Sequence, residues 1–137
     1  MSSNNGNNDW DVSYSVISFF ERALDGHSKV QSFNRINDIV FEISTWDGLT
    51  LKIVLVNEYS LGLAAVLKAK SDFPEIEYVV TCANWNGYTK EAKQHGISNN
   101  IGIFNLGEFL GALNWDKPKK YCKKDSKGNP IYAYKSA

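Results

Sequence analysis

The sequence predicts an α/β domain with a mixed central sheet and helices on both faces, and three observations lead there. Residues 36–57 read as two strands joined by a tight Asp47-Gly48 turn. Two segments, Leu51–Val56 and Tyr78–Cys82, are nearly continuous apolar runs, the pattern of strands covered on both faces, and a further strand is expected over Ile101–Phe104. Around them lie segments with apolar residues three and four apart, so short helices alternate with strands after an opening hairpin. At 137 residues, 43% hydrophobic and 22% charged, the chain has the size and composition of one soluble three-layer domain.

The chain divides into an N-terminus (1–9), a core (10–115) and a basic tail (116–137). Met1 to Asn8 has neither a basic region nor an apolar segment, so it does not read as a secretory signal, and its polarity predicts disorder. A first helix is expected from Trp10 to Asp25, with Val16, Phe19, Phe20, Ala23 and Leu24 on its apolar face and Gly26 as its stop. The first strand, Asp38–Ser44, sets Ile39, Phe41 and Ile43 on one face and Asp38, Val40 and Glu42 on the other. The second, Leu51–Val56, is apolar at nearly every position and reads as central. A second helix follows from Ser60, as cap, to Lys70, with Pro74 just beyond. Strand Tyr78–Cys82 leads to a third helix over Tyr88–His95, ended by Gly96. Strand Ile101–Phe104 then runs into a fourth helix, in which Asn105 and Glu108 have capping-box spacing.

The tail reads differently. Lys117-Pro118-Lys119-Lys120 is an exposed linker, and Tyr121–Lys124 and Ile131–Tyr134 flank the turn cluster Asp125 to Pro130. A terminal hairpin that joins a sheet edge is the expectation. Residues 1–115 carry 8 Lys/Arg against 13 Asp/Glu, a net of −5, whereas residues 116–137 carry 7 Lys against 2 Asp, a net of +5. An acidic body with a basic tail suits docking of one on the other, within a molecule or across a homodimer.

The layout resembles the restriction-endonuclease-like superfamily, in particular its Mrr-type branch, over about residues 10–114. The segment Tyr78 to Trp85 followed by Tyr88 to Ile97 is similar to that branch's apolar strand, small polar turn and helix with an inward alanine, here Ala92. The resemblance implies an acid at the entrance to the first hairpin strand, which Asp38 matches. It also implies Glu-x-Lys or Gln-x-Lys at the end of the second strand. There the chain has Leu55, Val56 and Asn57. The family's chemistry needs two acids converging on a divalent cation and a lysine beside the attacking water. Neither an aliphatic side chain nor an amide supplies that.

The catalytic set therefore reads as degenerate and without a metal site. An active enzyme would need magnesium, Asp38 and a migrated acid, Glu42 on the same strand or Glu58 just past the second. Each has an ordinary alternative: Asp38 as a solvated strand-entry residue, Glu58 in a helix's first turn. His27 and His95 lie far apart with no triad-like partner, and Cys82 reads as a small core residue. A binding surface is expected from Asn84, Trp85, Asn86 and Tyr88, at the carboxyl end of a central strand where crevices form. The alternative is a helix-entry loop whose tryptophan folds back on the core. Lys119, Lys120, Tyr121, Lys123 and Lys124 could contact phosphates and stack bases, or simply be solvated.

The sequence thus reads as a cytoplasmic, non-catalytic interaction or nucleic-acid-binding protein needing no cofactor and no membrane. The other readings are a metal-dependent nuclease and a purely protein-binding inhibitor or immunity protein. A protein partner or self-association is favoured, with nucleic acid reached through the basic tail.

Overall fold

The fold is that of a computed structural model, which describes residues 10–135; the expected disorder of residues 1–9 lies outside them. In chain order the elements are α1 (Tyr14–Asp25), β1 (Val30–Asn37), β2 (Val40–Thr45), β3 (Thr50–Val56), β4 (Ser60–Leu61), α2 (Leu63–Asp72), β5 (Tyr78–Thr81), β6 (Gly87–Tyr88), α3 (Lys90–Asn99), β7 (Gly102–Asn105) and α4 (Leu106–Ala112). A single 3-10 turn follows at Pro118–Lys120.

The main sheet has five strands in the order β1-β2-β3-β5-β7. The pairs β1–β2 and β2–β3 are antiparallel, and β3–β5 and β5–β7 are parallel, so the sheet is mixed as expected. Strand β3 is central: Leu51, Ile53, Val54, Leu55 and Val56 are all buried. Fully burying an aliphatic side chain contributes about 1.5–3 kcal/mol, so this strand anchors the core. Phe20 of α1 packs edge-on against Phe41, and Phe109 of α4 against Tyr78, with ring centroids 5.1 and 6.0 Å apart. Those contacts put α1 and α4 on one face. On the other, Gly96 of α3 sits against Ile103 so closely that an added Cβ would lie 2.5 Å from Ile103 Cγ1.

The structure corrects several boundaries. Strand β1 was not expected. It is an edge strand whose residues are mostly exposed, so it carries no apolar alternation, and only Val30 and Phe33 pack on the core. Asp38 consequently lies in the β1–β2 turn at φ 39°, not at the open end of a hairpin. Helix α1 starts at Tyr14 rather than Trp10: Asp11 is left-handed at φ 57°, and the Ser13 hydroxyl accepts from Val16 N. Its buried stripe is Ile17, Phe20 and Leu24, and Phe19 is exposed. Ser60 does not cap α2. It belongs to β4, and Gly62 is the N-cap. Tyr88 is likewise in a short strand. Helix α3 begins after Thr89, whose side chain accepts from Ala92 N, and runs through Gly96 to the left-handed Asn100. The Asn105–Glu108 capping box forms as expected.

The tail is not a free hairpin. Its two arms share one bridge, Lys124 with Pro130, around a turn held by the Asp125 carboxylate. Beyond it the chain lies along β6: Tyr88 N donates to Ala133 O at 3.0 Å, and Lys135 N donates to Tyr88 O at 2.8 Å. The tail thereby joins an edge, that of the small parallel sheet β4–β6. Gly87 is required there, because a Cβ would come within 2.0 Å of Ala133 O. No helix among the described residues is long and apolar enough to cross a membrane.

Candidate functional site

The three parallel strands end along one edge, β3 at Val56, β5 at Thr81 and β7 at Asn105, and Asn57, Cys82 and Leu106 follow them. A crevice of about 310 Å³ opens there between α1 and the β5–β6 loop. Phe19, Asn57, Ala83, Asn84, Trp85 and Leu106 are among its lining residues, none of them charged.

The loop over this crevice is held by buried amides. Asn86, 2% exposed, uses its side-chain NH2 toward Asn57 Oδ1 at 3.0 Å, Thr81 Oγ1 at 3.1 Å and Cys82 O at 3.0 Å. Asn105 donates its own amide to the carbonyls of Asn84 and Asn86. Thr81 closes the base: its hydroxyl donates to Glu58 O at 2.6 Å and accepts from Glu58 N at 2.9 Å. Ala83 is left at φ 147°, a conformation that costs a non-glycine residue about 1–3 kcal/mol and persists only where the surroundings impose it. Between these anchors Trp85 is 71% exposed. A large apolar side chain is thus displayed by a loop fixed on both sides.

The expected binding residues therefore separate. Asn84 and Trp85 face the crevice, while Asn86 and Tyr88 are buried and support it. Tyr88 OH donates to Glu108 Oε2 at 2.8 Å and accepts from Ala133 N at 3.1 Å, which ties α4, β6 and the tail together. Burial raises the Tyr88 phenol far above its ordinary range, so it stays a donor. Of the tail residues, Lys119 pairs with Glu77 at 3.2 Å and lies over the Tyr78 ring. Tyr121 packs on Phe104 and Trp115, whereas Lys120, Lys123 and Lys124 are exposed. Lys119, Lys120 and Tyr121 line a second cavity of about 270 Å³, and Lys123 lines a third of about 440 Å³ that shares Asn84 with the crevice.

The three candidate acids are engaged separately. Arg35 binds Asp38 through its carboxylate at 2.8 Å and through its backbone carbonyl. Glu42 faces Lys52 across the β2–β3 pair, with N···O at 3.9 Å. Glu58 has its backbone on Thr81. Among the described residues, no three His, Cys, Asp or Glu side chains converge on a point where a metal ion could sit. Leu55 is in the core, its N–H donating to Ile39 O, and Asn57 belongs to the amide network.

Two residues that line these cavities, Phe19 at the crevice and Lys93 at the second cavity, were not legible in the sequence as site residues. Phe19 was assigned to the buried face of α1. Lys93, in a polar helix, gave no signal at all, yet it is 5% exposed. The chain matches no protein-family model, no curated protein and no solved structure in these comparisons.

Proposed function

We propose that the chain is a non-catalytic binding protein on a restriction-endonuclease-like scaffold, with the crevice beneath Trp85 as its binding surface. The observation that carries this reading is the display of Trp85: an exposed indole on a loop immobilised by Asn86 and Asn105, above an uncharged cavity. Pre-organisation of this kind lowers the ordering cost of binding, and an indole face takes a planar group by stacking. Asn84 beside it offers an amide donor and acceptor to the edge of that group. The crevice thus suits a planar group presented by a partner, a nucleic-acid base or an aromatic side chain. The side chains that would hold a metal ion and polarise water are replaced at Leu55 and Asn57, which supports binding without cleavage.

Two measurements test this. Incubation with plasmid and single-stranded DNA plus magnesium or manganese should leave both intact; cleavage abolished by Asp38→Ala would overturn the reading in favour of the nuclease. Titration of indole fluorescence with single-stranded oligonucleotides and with aromatic peptides should give a saturable change that Trp85→Ala removes. Since Trp85 is mostly solvent-exposed, that variant should melt within about 2 °C of the parent, as surface substitutions typically do. Binding unaffected by Trp85→Ala would exclude the crevice.

A further inference from the structure

The cavity between α3 and the tail, at the β7 edge of the sheet, carries an independent argument. Lys93 reaches into it from the first turn of α3 and is 5% exposed. An ammonium has three N–H donors. Lys93 Nζ has one hydrogen-bond acceptor among the described residues, Ile103 O at 2.7 Å. Its other neighbours include ring faces, Phe104 at 4.3 Å and Tyr88 at 5.1 Å. No carboxylate forms an ion pair with it among the described residues. Burial lowers the Lys93 pKa and the nearby Glu108 charge opposes that shift, while the Glu108 carboxylate makes its hydrogen bonds with Asn105 N and the Tyr88 hydroxyl rather than with Lys93. Burying an ammonium with N–H donors left unused is costly, and an anion entering the cavity would take those donors and favour the charged form.

The rest of the lining fits one. Lys119 and Lys120 close the same cavity from the tail, and no Asp or Glu contributes to it. Lys119 is neutralised by Glu77, which leaves the charges of Lys93 and Lys120. Two cations with no ion-pair partner among the described residues suit a phosphate monoester, which carries about −1.5 to −2 at neutral pH. Lysines act as point charges toward phosphate, whereas planar carboxylate recognition favours the arginine fork, absent here. Gly96 O, on the helix wall, already accepts from Asn100 N and Ile101 N, so its lone pairs do not oppose an anion. The volume, about 270 Å³, is large against the roughly 30 Å³ of one water.

We infer that this cavity is a binding site for a small phosphate-bearing anion, held by Lys93 and Lys120 with Lys119 at its rim. The site is separate from the Trp85 crevice and does not depend on how that crevice is used. The full-length chain should be titrated with inorganic phosphate, glycerol phosphate and succinate by calorimetry and amide NMR. Saturable binding of the two phosphates at millimolar concentration or below is expected, with shifts at Lys93, Gly96 and Lys120. Lys93→Met should weaken it by at least about thirtyfold, as for loss of one partner of a buried charge pair. Lys120→Glu, on the surface and so without risk to folding, should weaken it by about fivefold or more through charge reversal at the rim. Lys127→Glu makes the same charge change at the tip of the tail turn, outside the cavity, and should bind like the parent. Absence of phosphate binding at about 10 mM would overturn the inference, that being tenfold weaker than the millimolar affinity expected. Binding that Lys120→Glu and Lys127→Glu reduce equally would overturn it too, because only net charge would then matter. Succinate bound as tightly as phosphate would refute the phosphate class.

Discussion

Replacing Tyr88 by Phe removes one oxygen atom and tests how the tail is joined to the body. Tyr88 is fully buried, and its hydroxyl sits between two elements distant in sequence, donating to Glu108 Oε2 and accepting from Ala133 N. Hydrogen bonds to charged groups contribute about 1.5–3 kcal/mol, and the bond from a partly buried neutral N–H about 0.5–1.5 kcal/mol. The ring keeps its packing, since Tyr88 and Tyr134 meet edge to face with ring centroids 5.8 Å apart. Loss of the hydroxyl alone should therefore cost about 2–4 kcal/mol. For a chain of this length each kcal/mol moves Tm by about 3–5 °C, which gives a fall of roughly 6–20 °C. Urea titration should show a lower midpoint with an unchanged slope if the tail unfolds with the body. Faster proteolytic cutting within residues 116–135 under native conditions would accompany it. A Tyr88→Phe protein that melts within 1 °C of the parent would refute the claim that this hydroxyl couples tail and core.

Leu55→Ala, in the middle of the central strand, should cost about 2–5 kcal/mol by leaving a cavity, read by urea titration. Truncation after Trp115 removes Tyr121, Tyr132 and the segment bridged to β6, so it should lower Tm strongly or prevent folding; a truncated chain with parental Tm would show the docked tail to be dispensable. Burial pushes the Cys82 thiol from its ordinary 9.0 up to about 11. The folded chain then holds a proton that the unfolded chain releases. The resulting stability, about 2–3 kcal/mol at 1.36 kcal/mol per unit, is complete below pH 9 and is lost as pH rises through 11. The stability difference between parent and Cys82→Ala should accordingly shift by that amount against the parent over pH 9–11 in calorimetry; a constant difference would count against a buried thiol.

What the sequence disclosed follows from how strongly each element depends on its own residues. Strands β3, β5 and β7 are buried on both faces, so burial selected apolar runs that are visible without any partner. Edge strand β1 owes its position to backbone pairing with β2, and backbone pairing leaves no composition to read. Strands β4 and β6 are two residues each, shorter than any period. Gly96 was misassigned for a physical reason: a glycine past the middle of a short helix reads as a stop, whereas here it permits α3 to approach Ile103 and Ile101 O. Asn84 and Trp85 were legible because they follow an apolar strand directly. Lys93 was not, because it is buried by tail residues such as Tyr132, 39 positions away, and no local pattern encodes that docking.

The split between an acidic body and a basic tail also takes a different meaning once the two are docked. Charge contributes only part of the attachment, chiefly Lys119 on Glu77; the rest is backbone pairing along β6 and tyrosine packing on Phe104 and Tyr88. A surface ion pair is worth about 0–1 kcal/mol, too little to hold 22 residues in place. The tail is therefore held by the same burial that holds the core, and most of its lysines are left over. Lys120, Lys123, Lys124 and Lys127 remain exposed. Lys120 and Lys123 line cavities that the tail itself completes. The basic segment thus forms one wall of two cavities, and in one of them Lys119 and Lys120 stand across from the buried Lys93.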